Sequence, residues 1–384
     1  MKSKGKRLEA HEQDQFLLAD QKTHTQQTGF RTSSGGKHIP YDQTTILDTN
    51  RNNCPDVSKQ RGSEASNEKI KWFRRGARKA LTVHLSGGLR TYIKDELKTC
   101  NRLKKQELLS WLKRYNRSIF CCDIVYQTGV KLQTTFCRSK WCTVCGQNRS
   151  AKITNAYGDV LIGLPDLYNV VLTIRNMEAD QLALALDRMN NAWRKIYNAM
   201  TRKGIKPQGA RTLEITHGVK GYHPHYHILI SGQENAMMVQ SLWMKHFKDE
   251  AGQGGQYVSP VDLSKGIGSV IELVKYSVKP LVNGELLPSD VLHTINRATR
   301  GKQMFSPFGI KKVAQQEIEP PESEESETDW IAPQNTVYHW DQYHREWRNR
   351  TGLRLVKWSN NTVDDILRGV KITKKPKKKK RSTE

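Results

Sequence analysis

The residues best suited to holding a cation are three histidines at every second position. They are His223, His225 and His227, in Gly221-Tyr222-His223-Pro224-His225-Tyr226-His227-Ile228-Leu229-Ile230. Neutral imidazoles ligate divalent metals. On a strand the three rings share one face, while Pro224, Tyr226, Ile228 and Ile230 offer an apolar face on the other side. A single histidine there would ordinarily be solvated; three in register point to a metal. The preceding stretch, Arg211 to His217, also alternates polar and apolar, and Gly218-Val219-Lys220-Gly221 reads as a tight hairpin turn. Centring that turn between Val219 and Lys220 puts Glu214 opposite His225, Thr216 opposite His223, and Leu213 against Tyr226. A carboxylate thus joins the imidazoles, whereas a one-residue slip would send it into the core.

Two further groups can do chemistry. Cys121-Cys122, Cys137, Cys142 and Cys145 form a local cluster, and Cys142-x2-Cys145 is a thiolate knuckle suited to tetrahedral structural Zn2+. Either Cys121 or Cys122 completes the set. Arg138, Lys140 and Arg149 flank it as candidate DNA contacts. Farther on, Glu272, Tyr276 and Lys279 are spaced to share one face of a helix, with Val270, Leu273, Val274 and Val278 as the packing face. They offer a base, a nucleophile and a phosphate-contacting cation in one row.

The elements that must position these groups follow from periodicity. Helical signals run from Ile70 to Tyr115 in a strongly basic stretch with Lys71, Arg74, Arg75, Arg78 and Lys79. Such a run is either a DNA-contacting surface or a solvated helix face. Tyr168 to Arg175 reads as a central strand. Residues 178–200 predict a helix with Leu182, Leu186, Met189, Trp193, Ile196 and Met200 buried. A second helix is expected over 236–249, then an edge or bulged strand from Tyr257 that carries Pro260. The order predicts an α+β fold, an antiparallel sheet with helices on one face, preceded by a helical, cysteine-rich zinc-binding segment. The expected divisions are a polar arm at 1–68, the cysteine-rich DNA-binding segment at 69–160 and the catalytic domain at 161–315. An acidic linker at 316–330, a helix and strand docking on the body at 331–365, and a basic tail at 366–384 complete them.

Composition narrows the partners. The chain has 384 residues and a formal net charge of +25. The last fourteen residues supply +7 of this, eight Lys/Arg against Glu384, which leaves +18 on the body. With 9 Trp and 13 Tyr, that charge suits nucleic acid. Residues 316–329 hold seven acidic residues and no basic ones, as a linker would. No apolar run reaches membrane-spanning length, and no apolar signal core follows Met1. Seven clustered cysteines fit reduced thiols in a cytoplasm better than a disulfide framework. The basic C-terminal run also resembles a nuclear import signal, which leaves the nucleus as the alternative location.

Three of these stretches resemble, in order, the motifs of rolling-circle plasmid replication initiators of the HUH endonuclease superfamily. Val170-Val171-Leu172-Thr173-Ile174 is similar to the first, an apolar strand with Thr. His223-Pro224-His225-Tyr226-His227 matches the histidine motif as the plasmid subgroup writes it. Glu272 to Lys279 matches the third, with one tyrosine and a Glu four residues before it. The upstream cysteines resemble the same subgroup. The resemblance implies Mg2+ or Mn2+ on His225 and His227, with Glu214 as third ligand and His223 as second choice. It implies attack by Tyr276, a 5′-phosphotyrosine link, a free 3′-OH for a polymerase, and termination by a Glu272-activated water. Lys279 would contact the phosphate. Origin DNA, single-stranded or extruded as a hairpin, would be the partner, with host helicase and polymerase. Whether the protein acts as a homodimer is open. The alternatives are a single-tyrosine transposase or relaxase of the same superfamily, or a non-enzymatic zinc-containing DNA-binding protein.

Overall fold

The computed structural model describes residues 64–129, 131–266, 268, 270, 281–282, 285–314, 323–327 and 336–356. The expected polar arm up to residue 63, the basic tail, and Glu272, Tyr276 and Lys279 lie outside the described residues. The described chain opens with helices α1 (Glu64–Thr99) and α2 (Arg102–Ile119), the latter capped by the Asn101 side chain accepting from the Lys104 N–H at 2.9 Å. Then come β1 (Ile124–Thr128), β2 (Lys131–Thr135), α3 (Thr143–Ile162), β3 (Leu167–Thr173), α4 (Leu182–Arg202), β4 (Gly209–Gly218) and β5 (Gly221–Ser231). They are followed by α5 (Gln233–His246), β6 (Tyr257–Pro260), β7 (Leu281–Val282), β8 (Glu285–Leu286) and α6 (Ser289–Ala298). The last described elements are β9 (Phe305–Phe308), β10 (Ser323–Glu327), β11 (Thr336–Asp341) and β12 (Glu346–Arg348). Among the described residues no helix is long and apolar enough to cross a membrane.

The fold is α+β, as expected, with an antiparallel sheet in the order β6-β3-β5-β4-β9. The histidine strand β5 is its centre. The expected Tyr168 strand lies beside it, and the Pro260 strand is an edge, where a missing N–H does no harm. Every residue of the predicted α4 stripe is buried, and the stripe packs against Val170, Leu172, Tyr226, Ile228 and Ile230. Helices α1, α2, α5 and α6 share that core. One helix also covers part of the opposite face: Ile153, Tyr157 and Leu161 of α3 pack on Leu167, Ala210 and Leu229. The histidine end of that face is left outside this cluster.

A second antiparallel sheet, in the order β10-β2-β1-β11-β12, surrounds the cysteines. It departs from the sequence reading in three places. The segment at 69–160 contains the β1–β2 hairpin besides its helices. The span expected to be a docking helix is instead β11 and β12, and β11 pairs with β1 through Ile124↔His339. Part of the acidic stretch read as a linker is an edge strand on β2, with Glu325↔Gln133. The unit is therefore built from both ends of the described chain. Trp72, Val125, Leu132, Tyr338 and Trp347 fill its core, and Trp347 Nε1 donates to the Cys122 carbonyl at 2.9 Å.

Within the basic run on α1, Lys71 is exposed and Arg74 half-buried, whereas Arg75, Arg78 and Lys79 are buried and fit neither expected reading. Lys79 is completely buried, donating to the Ile119 carbonyl at 2.6 Å and to Asp123 Oδ1 at 2.9 Å. Arg75 is buried between the Trp72 ring of its own helix, 4.5 Å from the centroid, and the Phe136 ring of the cysteine unit, 5.4 Å from the centroid. These cations hold α1 to the cysteine unit rather than facing solvent.

Candidate active site

The β4–β5 hairpin has the predicted register: Glu214↔His225, Thr216↔His223 and Leu213↔Tyr226, closing at Gly218↔Gly221. Gly221 adopts φ 91°, and a Cβ there would meet the Met177 carbonyl oxygen at 2.5 Å. Met177 and Tyr222 exchange backbone hydrogen bonds of 3.0 and 2.9 Å, which clamps the turn to the segment after β3.

Because strand partners face one another, Glu214 Oε2 lies 2.9 Å from His225 Nε2 and 2.7 Å from His227 Nε2. Ligand atoms of all three residues fall within 4.8 Å of one another. Glu214 and His225 are buried, while His227 keeps 26% of its side chain exposed and opens the group to solvent. His225 Nδ1 is 3.2 Å from the His223 carbonyl. Donating there fixes the tautomer with the Nε2 lone pair aimed at the carboxylate. Two electron-rich atoms face each other at that separation only with a proton or a cation between them. Mixed His and carboxylate donors on a part-open face suit a divalent ion with sites left for substrate oxygens.

His223 shares the face but points elsewhere. Its Nδ1 lies 3.1 Å from Asn176 Oδ1, and burial, followed by the neighbouring His225 charge, lowers its pKa. The converging set is therefore Glu214, His225 and His227. Asn176 was not legible as a partner, since it follows β3 and meets His223 only through the fold.

The end of β3 is held beside this group. Thr173 pairs with His225, and its carbonyl accepts from Trp243 Nε1 at 2.9 Å and Gln256 Nε2 at 3.1 Å. Gln256 Oε1 in turn accepts from the Thr173 N–H at 2.9 Å. The Gln256 amide thus continues the ladder where β6 stops. Val270 is completely buried, clustered with Ala210 and Leu229 on the face of the sheet that also carries the histidines.

The second cluster comprises Cys121, Cys137, Cys142 and Cys145, all buried, with sulfurs within 4.8 Å of one another. Backbone N–H groups of Cys137, Ser139 and Cys145 donate to the sulfurs of Cys121, Cys137 and Cys142 at 3.4, 3.4 and 3.5 Å. Hydrogen bonds from Cys121, Cys142 and Cys145 hold the Cys137 thiol well below the ordinary thiol range. Four converging sulfurs supported by amide donors can hold a metal. The open choice between Cys121 and Cys122 is resolved by geometry. Cys122 sits at φ 56° with its sulfur accepting from Thr134 Oγ1 at 3.3 Å, away from the other four. None of the six described cysteines is in a disulfide.

Of the three flanking cations, Lys140 is turned inward. Its ammonium donates to the Thr299 and Lys302 carbonyls at 3.0 and 2.5 Å, at the C-terminal end of α6. Arg149 donates to the Arg138 carbonyl at 3.3 Å, and Arg138 is exposed.

Comparison with known proteins covers most of the region that carries both clusters. A family model described as a replication protein matches residues 129–352, which span the histidine hairpin and three of the four converging cysteines. A protein rep from a Bacillus species is 27% identical over 259 residues, 54% of this chain and 81% of that protein. A protein rep from Bacillus amyloliquefaciens is 26% identical over 230 residues, 48% of this chain and 65% of that protein. One from Streptococcus pneumoniae is 25% identical over 171 residues, 39% of this chain and 53% of that protein. No solved structure matches the chain significantly. With more than half of its length matched in that way, the chain belongs to the replication protein family.

Proposed function

We propose that this protein initiates rolling-circle replication of a plasmid by nicking one strand of origin DNA through Tyr276. The observation that carries the reading is the Glu214–His225–His227 group on a part-open sheet face. Glu214, His225 and His227 would hold Mg2+ or Mn2+, which when bound supplies a Lewis acid to polarise the scissile phosphate. The Tyr276 phenol, with an ordinary pKa near ~10, needs such help to act at neutral pH. Its oxygen attacks phosphorus, the bond to the 3′ oxygen breaks, and the departing oxygen takes a proton. The products are a 5′-phosphotyrosine and a 3′-OH for a polymerase to extend. Glu272 takes a proton from water at termination, and Lys279 contacts the phosphate. The four converging cysteines would hold structural Zn2+.

The substrate is single-stranded DNA or an extruded hairpin, because a tyrosine must reach an unpaired backbone. Arg138 and Arg149 contribute to the positive surface around it. The work takes place in the cytoplasm, with host helicase and polymerase. The test is to incubate the protein with single-stranded origin oligonucleotide and Mn2+. A covalent adduct is expected that is lost in Tyr276→Phe and in His225→Ala; an adduct that persists in Tyr276→Phe defeats the assignment.

A further inference from the structure

A cavity of about 400 Å³ opens beside the histidine row. Its wall includes Arg175, Asn176, Gln181, Leu184, Arg188 and Glu250. Asn176 couples it to the site: the same side chain bonds His223 Nδ1 at 3.1 Å, and the His223 ring lies 5.5 Å from that of His225. One residue therefore separates the cavity from the metal-ligating group. Its volume falls within the range of sites that enclose small organic groups.

The lining has the chemistry of a nucleotide site. Leu184, together with Met177 and Ala185, supplies an apolar surface for a base. Asn176 and Gln181 carry amides, the groups that read base edges by paired hydrogen bonds. Two guanidiniums outnumber the single carboxylate, so the cavity is positive. Both are held in place: Arg175 Nη2 donates to the Asp249 carbonyl at 2.8 Å, and Arg188 is ion-paired with Glu250, which itself lines the cavity. Such anchoring fixes planar donors that can meet a phosphate or stack on a base.

We infer that this cavity seats the nucleotide adjacent to the bond being cut, and that Gln181 and Arg188 set the base preferred there. The inference rests on the nicking reading above, and it names where on the strand the protein discriminates between bases. Nothing in the histidine motif or the Tyr276 row supplies base recognition, since a metal and a tyrosine act on the sugar–phosphate backbone alone.

Two measurements on the full chain test it. In the first, a single-stranded oligonucleotide pool of randomised sequence is incubated with Mn2+, and the DNA attached to the protein is sequenced. Gln181→Ala and Arg188→Ala should each flatten the base preference at one position next to the cut by about tenfold, with the other positions retained. Unchanged preference everywhere, or a uniform loss at all positions, overturns the inference. The second needs no cleavage, so it stands even where the nicking reading fails. Fluorescence anisotropy of labelled oligothymidylate in EDTA should show binding weakened about tenfold by Leu184→Trp, which fills the cavity. Arg188→Gln should lower the salt slope by about 0.7, the value for one single-strand phosphate contact. Wild-type affinity in Leu184→Trp together with an unchanged slope in Arg188→Gln overturns it.

Discussion

Glu214 and His225 are register partners across the β4–β5 hairpin, and that pairing brings Oε2 to 2.9 Å from Nε2. The site is thus a consequence of strand register. Removing Glu214 takes away one of three donors and the charge that neutralises the ion. Glu214→Ala should weaken Mn2+ binding by more than the about 10–100-fold typical of outer-sphere partners, and His223→Ala should leave one bound ion per chain. Isothermal titration or Mn2+ spin resonance reads both. Equal losses in the two variants would return His223 to the ligand set.

The cysteine assignment is equally specific. Cys121→Ser should abolish tightly held zinc and lower the melting temperature, while Cys122→Ser should retain one equivalent by elemental analysis. Loss of metal in Cys122→Ser alone would reverse the assignment.

Lys79 is a buried cation whose only charged contact among the described residues is Asp123. Asp123→Ala leaves that ammonium with the Ile119 carbonyl and should cost about 3 kcal/mol in chemical denaturation. Lys79→Met, which removes the charge as well, should cost less. The opposite ranking would show that the pair itself, rather than the stranded charge, sets the loss.

His293 of α6 packs against α2, with Nδ1 2.8 Å from the Tyr115 hydroxyl, and burial lowers its pKa to about 4. The unfolded chain takes up a proton near pH 6.5, before the native state does. Stability is therefore complete above about pH 6.5 and falls as pH drops toward about 4, by at most about 3 kcal/mol. Melting temperatures between pH 7 and 4 should show this decline, and His293→Gln should flatten it. An equally steep decline in the variant would place the titration elsewhere.

Gly221→Ala strains the left-handed turn and drives a methyl into the Met177 carbonyl. A loss of about 1–3 kcal/mol is expected, with weaker Mn2+ binding because the hairpin carries Glu214 and the histidines together. Wild-type stability would show that the turn relaxes without moving the site.

What could be read from the sequence was what strand and helix periods encode locally. The Glu214–His225 pairing needed only alternation and a two-residue turn. The α4 stripe needed only a 3.6-residue period. The pairing of Ile124 with His339 could not be read that way, because more than two hundred residues separate them and short strands carry little pattern. Nor could charge reveal burial: Lys79 and Arg75 look like surface cations until α1 is packed on the cysteine unit. The Cys121–Cys122 ambiguity turned on one backbone angle, φ 56° at Cys122, which turns its sulfur toward Thr134. His223 obeyed strand parity but was drawn aside by Asn176, a contact outside any strand period.

The most direct test of the central claim is the identity of the residue that carries the DNA. After reaction with single-stranded origin oligonucleotide and Mn2+, then nuclease trimming and proteolysis, mass spectrometry of the adduct peptide should place a nucleotide 5′-phosphate on Tyr276. The adduct should be absent from Glu214→Ala. A nucleotide on any other residue, the exposed Tyr257 included, or one that forms equally well without Glu214, would contradict the account.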